Sequence, residues 1–579
     1  MKFVLTLSYF LYFSLLNSQI YFEEKAAQLG LDVAYGNGFL GGGISFYDFD
    51  NDGLDDISLG SATGTDYYFF KNMGGYFQPI SFAGIYGGNL QTKQVVWVDF
   101  NNDGYLDFFA ASDEGLTKLF KNNQNGVFTD VTGSCGFPTE LYDTFGGAWG
   151  DYNNDGFLDV FLTIRDASQV YPNLLYRNNG DGTFTDVTVM AGLETDGYMT
   201  FCAVFFDYNN DGYQDIYMAN DKFVTENILY RNNGDGTFEN VSEVAGVNLI
   251  MGAMSTTIDD YNNDGWLDIY VTNDDQVIPN TTTGNALLLN NGDGTFTNVA
   301  VSSGTTFNSV GWGAVFLDAD NDGDHDLYVS GSNTDPNGPL TAAFYENSGD
   351  GTFSIPKDAG FENDTGISFS NAIGDVDNDG YPEIVVLNNG GGDIFLWKNS
   401  SVDDQNWLKV NLQGTISNKM GIGSWIEVSA GGQIQYHYTL CGEGYLGQNS
   451  GSEFFGLGTN QTIDYVKVQW LSGTVDYLDD IDVNQAIYIT EGDHPLSLKD
   501  IRELNFKIYP NPSRDLIIIE QDIINNATLI ISDFSGKELL STTLSEKYTR
   551  IDIERFSSGV YLAVIIYQKG IVTKKIVIE

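Results

Sequence analysis

Along the first 400 residues, short apolar runs alternate with turns rich in glycine, asparagine and aspartate. Val95-Val96-Trp97-Val98 and Ile269-Tyr270-Val271 are typical of them. They are β-branched and aromatic, too short for helices and bounded by turn residues, so they predict strands. A third apolar stretch follows each such pair, as in Leu174-Leu175-Tyr176-Arg177, and then a hairpin, Asn179-Gly180-Asp181-Gly182-Thr183-Phe184. Close versions of that hairpin recur at 233–238, 291–296 and 348–353. Asn-Gly or Asp-Gly ahead of an aromatic residue is a strong tight-turn signal. The repeating unit is therefore four short antiparallel strands.

Units that return about every 50 residues, and cannot bury both faces alone, stack radially as propeller blades. A fourth strand begins at a Phe and reaches a Gly eight residues on, as in Phe184 to Gly192 and Phe238 to Gly246. Phe22 to Gly30 has this spacing ahead of the first unit, whereas the last unit shows a third strand near Ile394 to Trp397 and no fourth. The N-terminal segment is thus expected to complete the last blade and to close a ring of seven.

Between the first two strands of every unit lies an acidic loop, D-x-[DN]-x-D-G-x-x-[DE], repeated at intervals of 51 to 58 residues. The side chains at positions 1, 3, 5 and 9 are Asp48, Asp50, Asp52 and Asp56; Asp99, Asn101, Asp103 and Asp107; Asp151, Asn153, Asp155 and Asp159; Asp207, Asn209, Asp211 and Asp215; Asp260, Asn262, Asp264 and Asp268; Asp318, Asp320, Asp322 and Asp326; and Asp375, Asp377, Asp379 and Glu383. A hard divalent cation takes six to eight oxygens, which a tight loop supplies from alternate side chains with a glycine at position 6 for the turn. An EF-hand would close with Glu at position 12 between helices, but Leu59, Ala110 and Leu162 stand there and the flanks read as strands. All 28 side chains are expected to hold about seven structural Ca²⁺ ions.

These loops resemble the FG-GAP and VCBS repeats of integrin-type propellers over roughly residues 20 to 400, with Phe145-Gly146-Gly147-Ala148-Trp149 and Gly311-Trp312-Gly313-Ala314 echoing the name-giving segment. From Trp407 to about Glu491 the acidic loops stop and apolar and polar residues alternate. That stretch resembles the ASPIC/UnbV module of cartilage-acidic-protein-like proteins, through Asn418 to Gly423, Gly444-Tyr445 with Gln448, Phe455-Gly456-Leu457-Gly458 and Trp470 with Ser472-Gly473. Leu471 and Phe454 depart from that pattern, which has proline and histidine. Lys507-Ile508-Tyr509-Pro510-Asn511-Pro512, Asp533 to Lys537 and Ser558 to Leu562 are similar to the C-terminal sorting domain of the Bacteroidota type IX secretion system. This resemblance implies engagement of that machinery and delivery to the medium or the outer-membrane surface.

The net charge of −53 excludes nucleic acid and anionic membrane as partners, since both need clustered Lys and Arg. It suits a compartment rich in calcium, where modules bind at about 10⁻⁴–10⁻³ M. Residues 506–579 carry nine acids and nine bases, so the tail is neutral. Lys2 and the apolar run Phe3 to Leu16 read as a signal peptide over residues 1–18, too short for a span of about 20 residues, and no transmembrane segment is expected in the mature chain. Cys135, Cys202 and Cys441 read as buried small hydrophobes rather than a disulfide framework.

The expected architecture is all-β: a seven-bladed propeller with calcium-binding blade hairpins at 19–400, a small β-domain at 401–493, a linker at 494–505 and an Ig-like sandwich at 506–579. The metal hairpins and the Asn-Gly hairpins point to one end of the ring and are nearly constant. Loops at the other end vary, from the short 111–115 to the long 273–285 and 331–340, and recognition usually sits on such loops. Arg165, Tyr171, Tyr198, Lys222 and Phe223 are candidate contacts there. Two functions remain open: a secreted or surface module that binds an extracellular protein or glycan, or a polysaccharide lyase or glycosidase on a propeller. His325, His437 and His494 lack any nucleophile context such as G-x-S-x-G, which favours non-catalytic binding, although paired carboxylates could serve a glycosidase.

Overall fold

The computed structural model describes residues 20–495 apart from 88–89, 125, 223–224, 275–277, 279–280, 308, 333–341, 362–363 and 402–404, and residues 507–578 apart from 521–526, 533–537 and 568–569. The expected signal peptide, and Phe223 among the candidate contacts, lie outside the described residues. The chain divides into two compact units, one running to His494 and one from Pro495 onward.

In the first unit the described residues form seven four-stranded antiparallel sheets of one pattern. In the third, Thr144–Gly150 is the inner strand, followed outward by Asp159–Ile164, Leu174–Asn178 and Phe184–Asp186. Inner strands are almost wholly buried, and Thr144–Gly150 and Thr200–Phe206 are so along their whole length, because each packs between two neighbours. That is why they read as continuous apolar runs rather than an alternation. Inner strands contact one another in succession, and Ile44–Tyr47 meets Ser368–Gly374 to complete the circle.

The last sheet combines Ser368–Gly374, Glu383–Asn388 and Phe395–Asn399 with the N-terminal Phe22–Glu24, pairing Phe22 with Asn399 and Glu24 with Trp397. The two ends of the ring thus share one sheet. The recurring glycine has a steric reason. At Gly30, Gly136 and Gly360 φ is +93°, +92° and +102°, and a Cβ would strike the carbonyl of the outer-strand Phe in a neighbouring sheet, Phe77, Phe184 and Phe22 respectively. Only glycine satisfies both demands.

Large aromatics fill the space between sheets. Trp97 meets Phe49, Phe69, Phe82, Phe108 and Phe128 with ring centroids 4.9–6.0 Å apart. Still within the first unit, residues 406–490 form two further sheets. Ser452–Gly458, Asn406–Gln413 and Gln485–Thr490 make one; Gln433–Tyr438, Trp425–Ala430, Tyr465–Gln469 and Val475–Leu478 make the other. They close on Leu408, Val410, Ile426, Phe455, Val468 and Trp470. The buried Trp470 indole donates to Asp476 Oδ2 at 2.7 Å.

The second unit also has two sheets. Lys507–Tyr509, Leu516–Glu520 and Tyr548–Asp552 form one, and Glu538–Leu544, Ala527–Ser532, Gly559–Tyr567 and Gly570–Ile578 the other. Their shared core is aliphatic, built from Ile517, Ile519, Leu529, Ile531, Ile565 and Ile576.

Candidate metal loops and their cover

Each acidic loop is fixed in shape by its own backbone. The position-1 carboxylate accepts the N–H of position 5 through Oδ1 and the glycine N–H through Oδ2, at 2.7–3.1 Å in all seven copies. The position-9 carboxylate starts the second strand. In the first six loops it accepts the N–H of an asparagine at the end of the third strand, as Asp159 does from Asn178 at 2.7 Å.

Carboxylate oxygens of Asp48, Asp50 and Asp56, of Asp318, Asp320 and Asp322, and of Asp375, Asp377 and Glu383 lie within 4.8 Å of one another. These are the three loops with Asp at position 3. In the other four, position 3 is Asn101, Asn153, Asn209 or Asn262, which offers an amide oxygen instead. The residues fit a hard cation on a second count. Oδ2 of Asp159 and Oδ2 of Asp268 are buried without a hydrogen-bond partner, a state that costs free energy until a cation or donor meets them.

The electrostatics agree. Burial, followed by repulsion from the other loop carboxylates, raises Asp56 to about 8 and Asp107 to about 9, and Asp151 and Asp260 are each raised to about 7 chiefly by burial. Asp159, Asp215, Asp268, Asp326 and Glu383 are pushed well above the carboxylate range, burial again leading. At neutral pH these groups need protons or a cation. The loops are therefore acidic groups that could bind metal.

The third strand grades the loops. The residue before its terminal asparagine is Lys71, Lys121, Arg177, Arg231, Leu289, Glu346 or Lys398. Lys71 pairs with Asp50 and reaches Asp52 at 2.7 Å, and Lys398 sits 2.9 Å from Asp377 and 3.0 Å from Glu383. An ammonium there would compete with a divalent ion. In the sixth loop Glu346 adds a carboxylate instead, and Asp320 beside it, after burial, raises its pKa.

Residues 406–490 cover this end of the ring. Lys409 Nζ lies 2.7 Å from Asn378 Oδ1 and 3.2 Å from Asp375 Oδ2, Lys419 N donates to Asn102 Oδ1 at 3.1 Å, and Gly458 N donates to Asn321 O at 2.8 Å. From this cover the segment Cys441–Ser450 enters the middle of the ring and touches the inner strand of every blade. Gln448 pairs its backbone with Ile44 and Phe46, accepts Trp97 N–H through Oε1 and donates to Trp97 O through Nε2, both at 2.8 Å. Cys441 O accepts from Trp149, Gly444 donates to Thr256, and Ser450 donates to Ile373. Tyr445, fully buried, packs among Phe201, Trp312 and Phe369 with centroids 5.0–6.2 Å away and donates to Leu40 O at 2.6 Å. The centre of the ring is filled.

Comparison with family models matches FG-GAP-like repeats at residues 48–110, 99–162, 151–218, 207–271, 260–329 and 332–386, more than half of the chain. The chain belongs to the FG-GAP-like repeat family. Behind the FG-GAP propeller, residues 414–496 match the ASPIC and UnbV model and residues 507–579 the secretion system C-terminal sorting domain. The sorting domain assigns the chain to type IX secretion and the cell surface or outer membrane. No curated protein matches. Among solved structures, PorZ, a surface component of the type IX secretion system of Porphyromonas gingivalis, aligns at 11% identity and TM-score 0.31 over 93% of this chain and 70% of its own. The Dos1 propeller aligns at 10% identity and TM-score 0.34 over 63% of this chain and 93% of its own.

At the opposite end of the FG-GAP propeller the candidate contacts fare unequally. Arg165 is buried, bonded to Asp221 at 2.7 Å and stacked 4.7 Å from the Phe201 ring, so it is a structural ion pair rather than a free contact. Lys222 leans on the same Asp221 at 3.2 Å, and Tyr198 is tied to Glu194. Tyr171 stands 48% exposed against Tyr142. Cys135, Cys202 and Cys441 are free and buried, as their reading required.

Two residue sets escaped the sequence analysis. Position 4 of every loop is asparagine, with φ of 55–58°, a left-handed turn that asparagine tolerates better than most residues. In six loops its Nδ2 donates to the glycine carbonyl of the next loop, at 2.6–3.2 Å, ending with Asn378 to Gly53 across the closure. The third-strand asparagines likewise reach the preceding loop, as Asn178 does to Phe100 O and Asn399 to Ala319 O. The signal for both was sevenfold identity at one position.

Proposed function

We propose that the chain is a calcium-loaded recognition module of the cell surface, which binds an extracellular protein or glycan through the variable loops and catalyses nothing itself. The observation that carries this reading is the cover at the other end. Residues 406–490 lie over the metal loops and fill the middle of the ring, which leaves the variable-loop end as the propeller's free face. The ions are structural on this reading. They sit beneath the cover, away from that face, and each draws together one hairpin whose acids otherwise repel. Seven divalent cations would neutralise about a quarter of the net charge of −53.

The test is retention of the full calcium-loaded chain on a panel of immobilised polysaccharides and matrix proteins, with new sugar ends assayed in the same wells. Retention without new ends supports the proposal and names the ligand class. New ends would make the chain a polysaccharide-degrading enzyme and overturn it.

A further inference from the structure

Two of the three histidines come from distant segments and meet where the cover rests on the propeller. His325 belongs to the sixth metal loop, and His437 to the strand Gln433–Tyr438. Their Nε2 atoms face each other at 3.1 Å, with the rings nearly perpendicular at 78°. Each ring is backed by a carboxylate on its far nitrogen: His325 Nδ1 contacts Asp259, and His437 Nδ1 lies 3.1 Å from Glu453 Oε2.

That backing decides what fits between the rings. When both Nδ1–H groups are given to carboxylates, both Nε2 atoms carry lone pairs, and these face the gap between the rings. Two lone pairs at 3.1 Å repel, so the gap holds either a proton on one Nε2, given to the other as a hydrogen bond, or a cation that both nitrogens share. Zinc binds imidazole nitrogen at about 2.0–2.1 Å, so an ion equidistant from both nitrogens would subtend about 100°, between the tetrahedral and octahedral angles. A carboxylate on the outer nitrogen is the usual companion of a metal-binding histidine. The adjoining cavity has a volume of about 80 Å³, and its lining holds Asp259, Glu443 and Glu453 with two of the loop aspartates and neither lysine nor arginine. At roughly 10–15 Å³ per water, it has room for the solvent ligands that two imidazoles leave to be supplied.

We propose that His325 and His437 bind one imidazole-preferring divalent cation, of the Zn²⁺ class, through their Nε2 atoms, with Asp259 and Glu453 orienting the rings. The site is chemically distinct from the oxygen-only loops, because calcium prefers carboxylates and zinc takes nitrogen. It joins the propeller to its cover by a metal link. The proposal stands apart from the calcium reading, since none of its ligands is a loop carboxylate.

The experiment is equilibrium dialysis of the untagged full chain against Zn²⁺ in excess millimolar Ca²⁺, with elemental analysis, and Co²⁺ as a spectroscopic substitute. About one Zn²⁺ per chain is expected, with a Co²⁺ visible band of nitrogen ligation. His437→Gln should weaken retention at least tenfold. Glu453→Gln, which keeps both rings, should weaken it about 10–100-fold. Where His437→Gln fails to fold by circular dichroism, the Glu453→Gln result decides. No Zn²⁺ retained by the unaltered chain, or equal retention by the folded variants, would overturn the site.

Discussion

Replacing Gln448 by Leu tests whether the segment Cys441–Ser450 fastens the ring from within. The Gln448 side chain is 2% exposed and serves three groups: Trp97 N–H, Trp97 C=O and the Ser45 hydroxyl. Leucine fills most of the volume but meets none of them. Two backbone groups of a fully buried inner strand then lose their partners, and each orphaned group costs about 1–3 kcal/mol. The total is about 2–6 kcal/mol, a large part of the roughly 5–15 kcal/mol that keeps a domain folded. The assay is urea unfolding of the calcium-loaded chain followed by tryptophan fluorescence, because Trp97 and Trp149 report on the strands this segment touches. Gln461→Leu serves as control, since Gln461 is exposed and bonds only to Thr459 O. A Gln448→Leu loss no larger than that of the control would show that this segment does not hold the ring together.

Calcium removal should have the largest effect. At ten times Kd each site contributes about 1.4 kcal/mol, so seven sites contribute about 10 kcal/mol, and EDTA should lower the thermal midpoint of the first unit steeply; an unchanged midpoint would sink the structural role of calcium. The loops should also differ among themselves. Lys71→Met removes a competing ammonium and should raise calcium affinity at the first loop about fivefold, while Glu346→Gln should lower it at the sixth by a similar factor, both read by calcium titration. Glu491 gives an acid limit: burial opposes its ionisation, but the Ser472 hydroxyl and the N–H groups of Thr415, Ile416 and Ser417 outweigh it and hold it at about 2. Its folded pKa is depressed, so its stabilising contribution is present above pH 4.5 and is lost as pH falls from there towards 2. Stability measured against pH should show that loss in the unaltered chain, and Glu491→Gln should abolish it.

The ring was legible because its signals repeat: four strands, one hairpin and one acidic loop recur at fixed offsets, and Phe22 to Gly30 betrayed the closure by spacing alone. The position-4 asparagines were equally repeated, but their role depends on a side chain reaching the next loop, about 55 residues away, and a motif read within one loop does not show that. The central segment was harder. Gly444-Tyr445 and Gln448 marked a resemblance, yet nothing local says that Gln448 will bond Trp97, 351 residues earlier. Arg165 was misread for a related reason. A charged residue on a connecting loop is ordinarily solvated, and only the fold brings Asp221 and the Phe201 ring around it. His325 and His437 are 112 residues apart, and only the fold brings their rings together.

These positions share one physical circumstance. The position-1 and position-9 acids of the loops are largely buried, whereas several at positions 3 and 5 are exposed, and burial is the leading cause of the raised pKa at Asp56, Asp107 and Asp151. A cover that strengthens attraction to a cation equally raises the cost of its absence, because the same low dielectric acts on unpaired carboxylates. The cover and the ions should therefore act together. If the loops hold calcium as proposed, its removal should loosen the ring and weaken the seat of Lys409 on Asp375 and Asn378. Bound ions should instead favour closed hairpins and the docked cover, in which Tyr445 reaches Leu40 through the middle of the ring. A chain addressed to the cell surface would, on the proposed reading, meet calcium only after export, so the coupling of loops to cover predicts that its propeller folds more stably there than before export.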